Sequence, residues 1–213
     1  MNKAIELTNI SKKFRGEIVL DDISQDFFSG KIYGLVGRNG SGKSVLFKII
    51  CGYIIPDRGN VVIEGKELGK EYDFPDNLGA LIEKPGFLWN KSAFYNLKLL
   101  ADINHIIDEN EIKESIRMVG LDPESNKRVG KYSLGMKQRL GIAQAIMERP
   151  DILILDEPMN GLDSEGIDLI RNLLLNYKGE NRCIIISSHN KEDLDYLCDE
   201  IYELADAKLI KNK

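Results

Sequence analysis

The sequence predicts an α/β protein: a mostly parallel sheet covered on both faces, with a helical lobe inserted between its halves. Three observations lead there. Short apolar runs alternate with helical patterns in the last third, and the middle third is helical in pattern. A glycine-rich turn also joins a strand-length apolar run to an apolar helix, the arrangement of a βα unit in a parallel sheet.

In chain order, residues 4–7, 18–20, 23–28 and 31–36 read as strands, divided by turn signals at Arg15-Gly16 and Ser29-Gly30. Residues 45–50 form an apolar run that Gly52 would stop as a helix. Strands follow at 60–63, between Gly59 and Gly65, and at 78–82. Ser92 is placed to cap a helix reaching about Leu100, Asp108 one ending at Gly120, and Ser133 one reaching Met147 before Pro150. The pattern then alternates: strand 152–155, helix 164–175, strand 183–187, helix 191–198 and a short strand near Ile201. We expect one domain over 1–213, with a core made of 1–83 and 150–213 and a helical lobe at 84–149.

A chain of 213 residues is long enough for a substantial core. Its net charge of −5 argues against nucleic acid as a partner, because that binding needs clustered Lys and Arg to displace counterions. Cys51, Cys183 and Cys198 are scattered, with no C-x-x-C pair, and suit neither a disulfide framework nor a zinc site. A reducing cytosol is the expected compartment. The N-terminus lacks the apolar stretch of a secretory signal, and runs such as 152–155 are too short to span a bilayer. Any membrane role is therefore expected to pass through a partner.

The turn Gly37-Arg38-Asn39-Gly40-Ser41-Gly42-Lys43-Ser44 fits G-x-x-x-x-G-K-[ST] in full, and it has the strand before it and the helix after it that the pattern requires. Glycines let successive backbone N–H groups point at phosphate oxygens, and the helix N-terminus adds its positive dipole end. Gly37, Asn39, Gly40, Ser41, Gly42, Lys43, Ser44 and Val45 are thus the expected contacts of a nucleoside triphosphate. Lys43 is expected to reach the β- and γ-phosphates. Ser44 offers a hydroxyl to Mg²⁺, a hard cation that takes oxygen ligands.

The apolar run 152–155 ends abruptly in Asp156-Glu157, and two carboxylates in that position rarely serve packing. At the carboxyl end of a parallel strand they face the crevice where such sheets bind ligands. Asp156 suits Mg²⁺, and Glu157 suits acceptance of a proton from water attacking the γ-phosphate. His189 follows another strand that ends in polar residues, and is placed to hydrogen-bond the γ-phosphate. His105 lacks such a context and reads as structural.

Tyr132-Ser133-Leu134-Gly135-Met136-Lys137-Gln138-Arg139, lying before Asp156-Glu157, resembles the signature segment of the ATP-binding-cassette (ABC) ATPases. Ser133 opens a helix with Gly135 in its first turn, so hydroxyl, backbone N–H and dipole make a second anion site. The resemblance implies the RecA-like phosphate-loop fold of that family, a mostly parallel sheet with an antiparallel β part and an inserted helical lobe, and two subunits packed head to tail. Each ATP lies between one subunit's phosphate loop and the other's signature helix. It further implies that Phe14 stacks on adenine, that Asn160-Gly161-Leu162-Asp163 crosses the dimer interface, and that His189 is the family's switch histidine. Glu83 stands where the family usually has Gln, a residue bridging metal and membrane partner, and is expected at the Mg²⁺ site. Leu134 and Met136 replace the commoner Gly and Gln, which removes one polar contact to the opposing nucleotide.

The reading that follows is a transport-coupled ATPase: a subunit that uses ATP and Mg²⁺, pairs with a second ATPase subunit as homodimer or heterodimer, and drives separate transmembrane permease subunits from the inner face of the membrane. The signature wording and Leu81-Ile82-Glu83 most resemble bacterial exporters of the bacitracin and lantibiotic resistance type. Phe87, Trp89 and residues 92–97 are candidates for the surface that receives the permease, since aromatics are enriched at interface anchors. A soluble non-transport ABC ATPase, for example in iron–sulfur assembly, and a nucleotide-sensing regulator are the alternatives. A small-molecule kinase is disfavoured, because it must exclude water from its γ-phosphate and leaves residues 133–139 and Glu157 unexplained.

Overall fold

The computed structural model describes residues 2–83 and 85–213. Strands β1 (Lys3–Phe14) and β2 (Glu17–Phe28) form a long antiparallel hairpin turned at Arg15 and Gly16. Both are longer than the sequence reading of short strands at 4–7, 18–20 and 23–28. The polar break around Asp21-Asp22 is absorbed by register shifts in the pairing. Asn9 and Asp22 adopt positive φ there, and the Asn9 amide donates to the Asp22 carboxylate at 2.7 Å. Bulges of this kind bend a strand without ending it. Strands β4 (Arg58–Ile63) and β5 (Lys66–Glu67) complete a four-stranded sheet of order β2-β1-β4-β5.

The second sheet has the order β10-β9-β3-β8-β7-β6. It comprises β3 (Lys31–Val36), β6 (Leu78–Leu81), β7 (Ile152–Leu155), β8 (Cys183–Ser187), β9 (Glu200–Ala205) and β10 (Lys208–Lys211). All pairings are parallel except β9 with β10. β10 escaped the sequence reading because it is a short, Lys-bearing edge strand with Ile210 exposed, which reads as tail rather than core.

Helices α1 (Lys43–Ile50), α2 (Ala93–Asn104), α3 (Glu109–Met118), α4 (Leu134–Ile146), α5 (Ser164–Tyr177) and α6 (Lys191–Leu197) cover both faces. Ser92, Asp108 and Ser133 cap α2, α3 and α4 as the residue types led us to expect, and Glu111 completes a capping box at α3. Alternation along the strands sorts the core in two. Leu153 and Leu155 join Ile184, Ile186 and helices α2–α5 on one face, while Ile152 and Ile154 join Tyr33, Leu35, α1 and the β1 hairpin on the other. Helix α4 packs tightly on β6: a Cβ at Gly79 would lie 1.9 Å from the Ala145 carbonyl. The lobe bounds drawn at 84 and 149 therefore fall within one continuous apolar cluster. Cys51, Cys183 and Cys198 are buried and free, and burial pushes each thiol up to about 12.

Glu200 ties the edge of the second sheet together, bonded to Lys31 of β3, to the Lys211 ammonium of β10 at 2.7 Å and to the Tyr202 hydroxyl at 2.8 Å. Burial alone would raise its pKa, but Lys211, Lys31 and Tyr202 outweigh it and hold the carboxyl at about 2. A depressed folded pKa stabilises the fold above the unfolded value of about 4.3, and that stability is lost as pH falls towards about 2. Glu200→Gln is thus expected to cost about 1–2 kcal/mol at pH 7 and to flatten the acid limb of the stability curve between about pH 5 and 2. Urea unfolding at several pH values measures this, and an unchanged acid limb contradicts it.

Candidate active site

β3 ends at Val36 and the chain turns into α1 through residues 37–42. The turn needs its glycines. Gly42 has φ +105°, and a Cβ at Gly37 would lie 2.5 Å from Ser41 Oγ and 2.7 Å from the Leu204 carbonyl. No side chain caps α1, so its first-turn N–H groups are free to meet an anion. The Lys43 ammonium is folded over the loop, donating to the Gly37 carbonyl at 2.7 Å and the Arg38 carbonyl at 3.3 Å. Ser41 Oγ is the buried side-chain oxygen left without a partner among the described residues. An orphaned hydroxyl inside a basic, N–H-lined loop fits a phosphate group.

The parallel sheet brings β7 and β8 to the same edge of this loop. Ser44 Oγ donates to Asp156 Oδ2 at 2.6 Å, so two oxygens suited to Mg²⁺ meet across the α1 and β7 ends. The described residues contain no cluster of three or more His, Cys, Asp or Glu of the kind that cages a metal by protein ligands alone. The Ser44 and Asp156 pair of oxygens suits Mg²⁺, which keeps several waters and binds through one or two protein oxygens plus substrate phosphates. Glu157 carries φ +52° and its Oε2 lies 2.8 Å from His189 Nδ1, bringing the expected base and the histidine into contact. Gln138 of α4 donates to the Glu157 carbonyl at 3.0 Å.

Other expected site residues lie apart from this cluster. Glu83 is bound by Lys48, one helical turn beyond Ser44 on α1, rather than by Ser44 or Asp156. Its carboxylate is therefore already compensated at the place where a neutral Gln was usual. Phe14 stands half-exposed at the end of β1 with the Lys12 ammonium 5.5 Å from its ring centre. Ser133 and Gly135 open α4, the Ser133 hydroxyl accepting from the Met136 N–H at 3.2 Å. No hydrogen bond joins either to residues 37–44 among the described residues. A Cβ at Gly135 would lie 2.8 Å from the Gly161 carbonyl, so the signature turn and the loop 160–163 are packed backbone to backbone. Asp163 caps α5 and fixes the far end of that loop.

The expected permease surface divides. Phe87, Ala93 and Leu97 are core residues, and Asn96 is buried on backbone groups of Leu88 and Ser92. Trp89, 64% exposed, and Tyr95 remain outside, each beneath a lysine. His105 merely ends α2 in a left-handed conformation. Sequence reasoning missed Ser187 and Lys48. The only signals were a polar residue ending an apolar strand and a lysine four residues after Ser44.

Residues 20–160 match the ABC transporter family. The chain is 46% identical over 205 residues to the uncharacterized ABC transporter ATP-binding protein YybJ of Bacillus subtilis (strain 168), covering 96% of this chain and 94% of that one. It is 39% identical to the bacitracin transport ATP-binding protein BcrA of Bacillus licheniformis (99% and 70% covered). Identity to the lantibiotic transport ATP-binding protein SrtF of Streptococcus pyogenes is 35% (98% and 90% covered). A solved ATP-binding subunit of an ABC transporter superposes with a TM-score of 0.87 at 26% identity, covering 99% of this chain and 90% of that one.

Proposed function

The chain belongs to the ABC transporter family of ATP-binding subunits, and from that premise we propose how its own residues use ATP. It binds ATP and hydrolyses it to power transport. The observation that carries the site assignment is the meeting of Ser44 with Asp156 and of Glu157 with His189 beside the phosphate loop. Lys43 exchanges the Gly37 and Arg38 carbonyls for β- and γ-phosphate oxygens, and Ser41 with the loop N–H groups from Gly37, Asn39, Gly40 and Gly42 to Val45 completes the cradle. Phe14 receives the adenine ring.

Ser44 and Asp156 would hold Mg²⁺, which would neutralise charge on the phosphates, and Glu83, paired with Lys48, would be free to reach the ion only by leaving that pair. Glu157 Oε2 accepts the proton of the attacking water while His189 Nδ1 orients that carboxylate. Ser133 and Gly135 of a second subunit supply the remaining γ-phosphate contacts, so ATP draws two subunits together and hydrolysis releases them. The second subunit is a copy of this chain or a homologous one.

The partner is a transmembrane permease, received near Trp89 and Tyr95 at the inner face of the membrane. No helix among the described residues is long and apolar enough to cross a membrane. Relatives named for bacitracin and lantibiotic transport support export of a peptide antibiotic as the substrate class. Affinity-tagged chain recovered from detergent-solubilised membranes is expected to bring a polytopic membrane protein with it, and Trp89→Asp to reduce that recovery at least several-fold. Active ATPase recovered without any polytopic partner contradicts the transport reading in favour of a soluble ABC ATPase.

A further inference from the structure

Ser187 ends β8, a strand whose five residues are all buried, and its side chain is wholly inaccessible to solvent. A hydroxyl in such a place must find partners or destabilise the fold, and an aliphatic residue would continue the strand equally well. Its partners are the two acids of the site. The Glu157 backbone N–H donates to Ser187 Oγ at 2.9 Å, and Ser187 Oγ donates to Asp156 Oδ1. The direction is unambiguous: an N–H can only donate, so the single hydroxyl proton goes to the carboxylate. The register places this bridge, because Leu155 at the end of β7 pairs with Ile186 of β8, and Asp156 and Ser187 are the residues that follow them.

The geometry points to Ser187 as the positioning residue that sets Asp156 and Glu157 relative to each other, an inference that rests on the roles proposed above for those two acids. Its bond to Oδ1 fixes the rotation of the Asp156 carboxylate so that Oδ2 faces Ser44. Its bond from the Glu157 N–H holds a non-glycine residue at φ +52°, a conformation that persists only where its surroundings over-determine it. Gln138 clamps the carbonyl of the same residue from α4, so the backbone of Glu157 is gripped on both sides. Ser187 has no surface open to a substrate. It acts by keeping the proton acceptor and the metal-side carboxylate in register as the nucleotide turns over.

The test compares Ser187→Ala and Ser187→Cys with the parent chain, alone and in a Glu157→Gln background, by steady-state ATPase kinetics with the melting temperature alongside. Ser187→Ala is expected to lower kcat about tenfold or more with the KM for ATP within about twofold, because the ground-state phosphate cradle is untouched. Ser187→Cys, which keeps the volume but hydrogen-bonds weakly, is expected to fall between. In the Glu157→Gln background both changes should cost much less, since one of the two groups being positioned no longer accepts a proton and only the orientation of Asp156 remains to be lost. A folded Ser187→Ala or Ser187→Cys with parental kcat overturns the proposal. So does a loss of the same factor in both backgrounds, which marks a purely structural residue. Should Ser187→Ala fail to fold, Ser187→Cys decides alone. Undiminished turnover in Glu157→Gln itself overturns instead the assignment of the base.

Discussion

Glu157→Gln is expected to lower ATP turnover about a hundredfold or more while leaving ATP affinity within a few-fold, the size of effect that follows removal of a general base. The substitution is nearly isosteric. Its backbone stays held by Ser187 and Gln138, and its side-chain oxygen still accepts from His189 Nδ1 if the ring keeps that proton. What disappears is the carboxylate's capacity to take a proton from water. The loss should therefore appear in kcat and not in KM, the pattern of an interaction made in the transition state alone. Undiminished turnover removes Glu157 from its role.

Gly135→Val is expected to abolish turnover to a comparable degree by a different route. Its Cβ would lie 2.8 Å from the Gly161 carbonyl, so the start of α4 and the loop 160–163 must separate, and the first-turn N–H groups of α4 lose their setting. The phosphate loop leads into α1, which packs on the other face of the sheet from α4, and the atoms nearest a Cβ at Gly135 belong to Gly161 and Leu162. Binding of ATP to the single subunit should thus survive, within a few-fold, while hydrolysis is lost. A variant that hydrolyses ATP at the parental rate excludes the α4 start from the working site. Equal loss of binding and hydrolysis shows that the damage spreads to the loop.

Local chemistry was what the sequence could express. The phosphate loop is legible because the turn needs glycine, lysine and a hydroxyl within eight residues. The helix starts at Ser92, Asp108 and Ser133 are legible because each cap is satisfied by a backbone N–H two or three residues on. Asp156 and Glu157 stand out as charges at the end of an apolar strand. Features that depend on distant residues were not visible. Bulges carry β2 through two aspartates because β1 pairs beside them, and β10 exists because β9 offers it an edge. Phe87 and Trp89 are two residues apart and chemically alike. Only the packing of the helical lobe sends one into the core and the other to solvent. Ser187 meets Asp156 from 31 positions away and Lys48 meets Glu83 from 35, distances at which no residue pattern announces a contact.

The central claim is that two anion sites on separate subunits close around one nucleotide. Light scattering on Glu157→Gln, with and without MgATP, tests it most directly, because that variant is expected to bind ATP and, lacking the base, to hold the closed state. The mass is predicted to rise from one chain of 24.1 kDa to twice that value with MgATP, and to stay at one chain when Gly135→Val is added. A single chain saturated with ATP that remains at 24.1 kDa contradicts it.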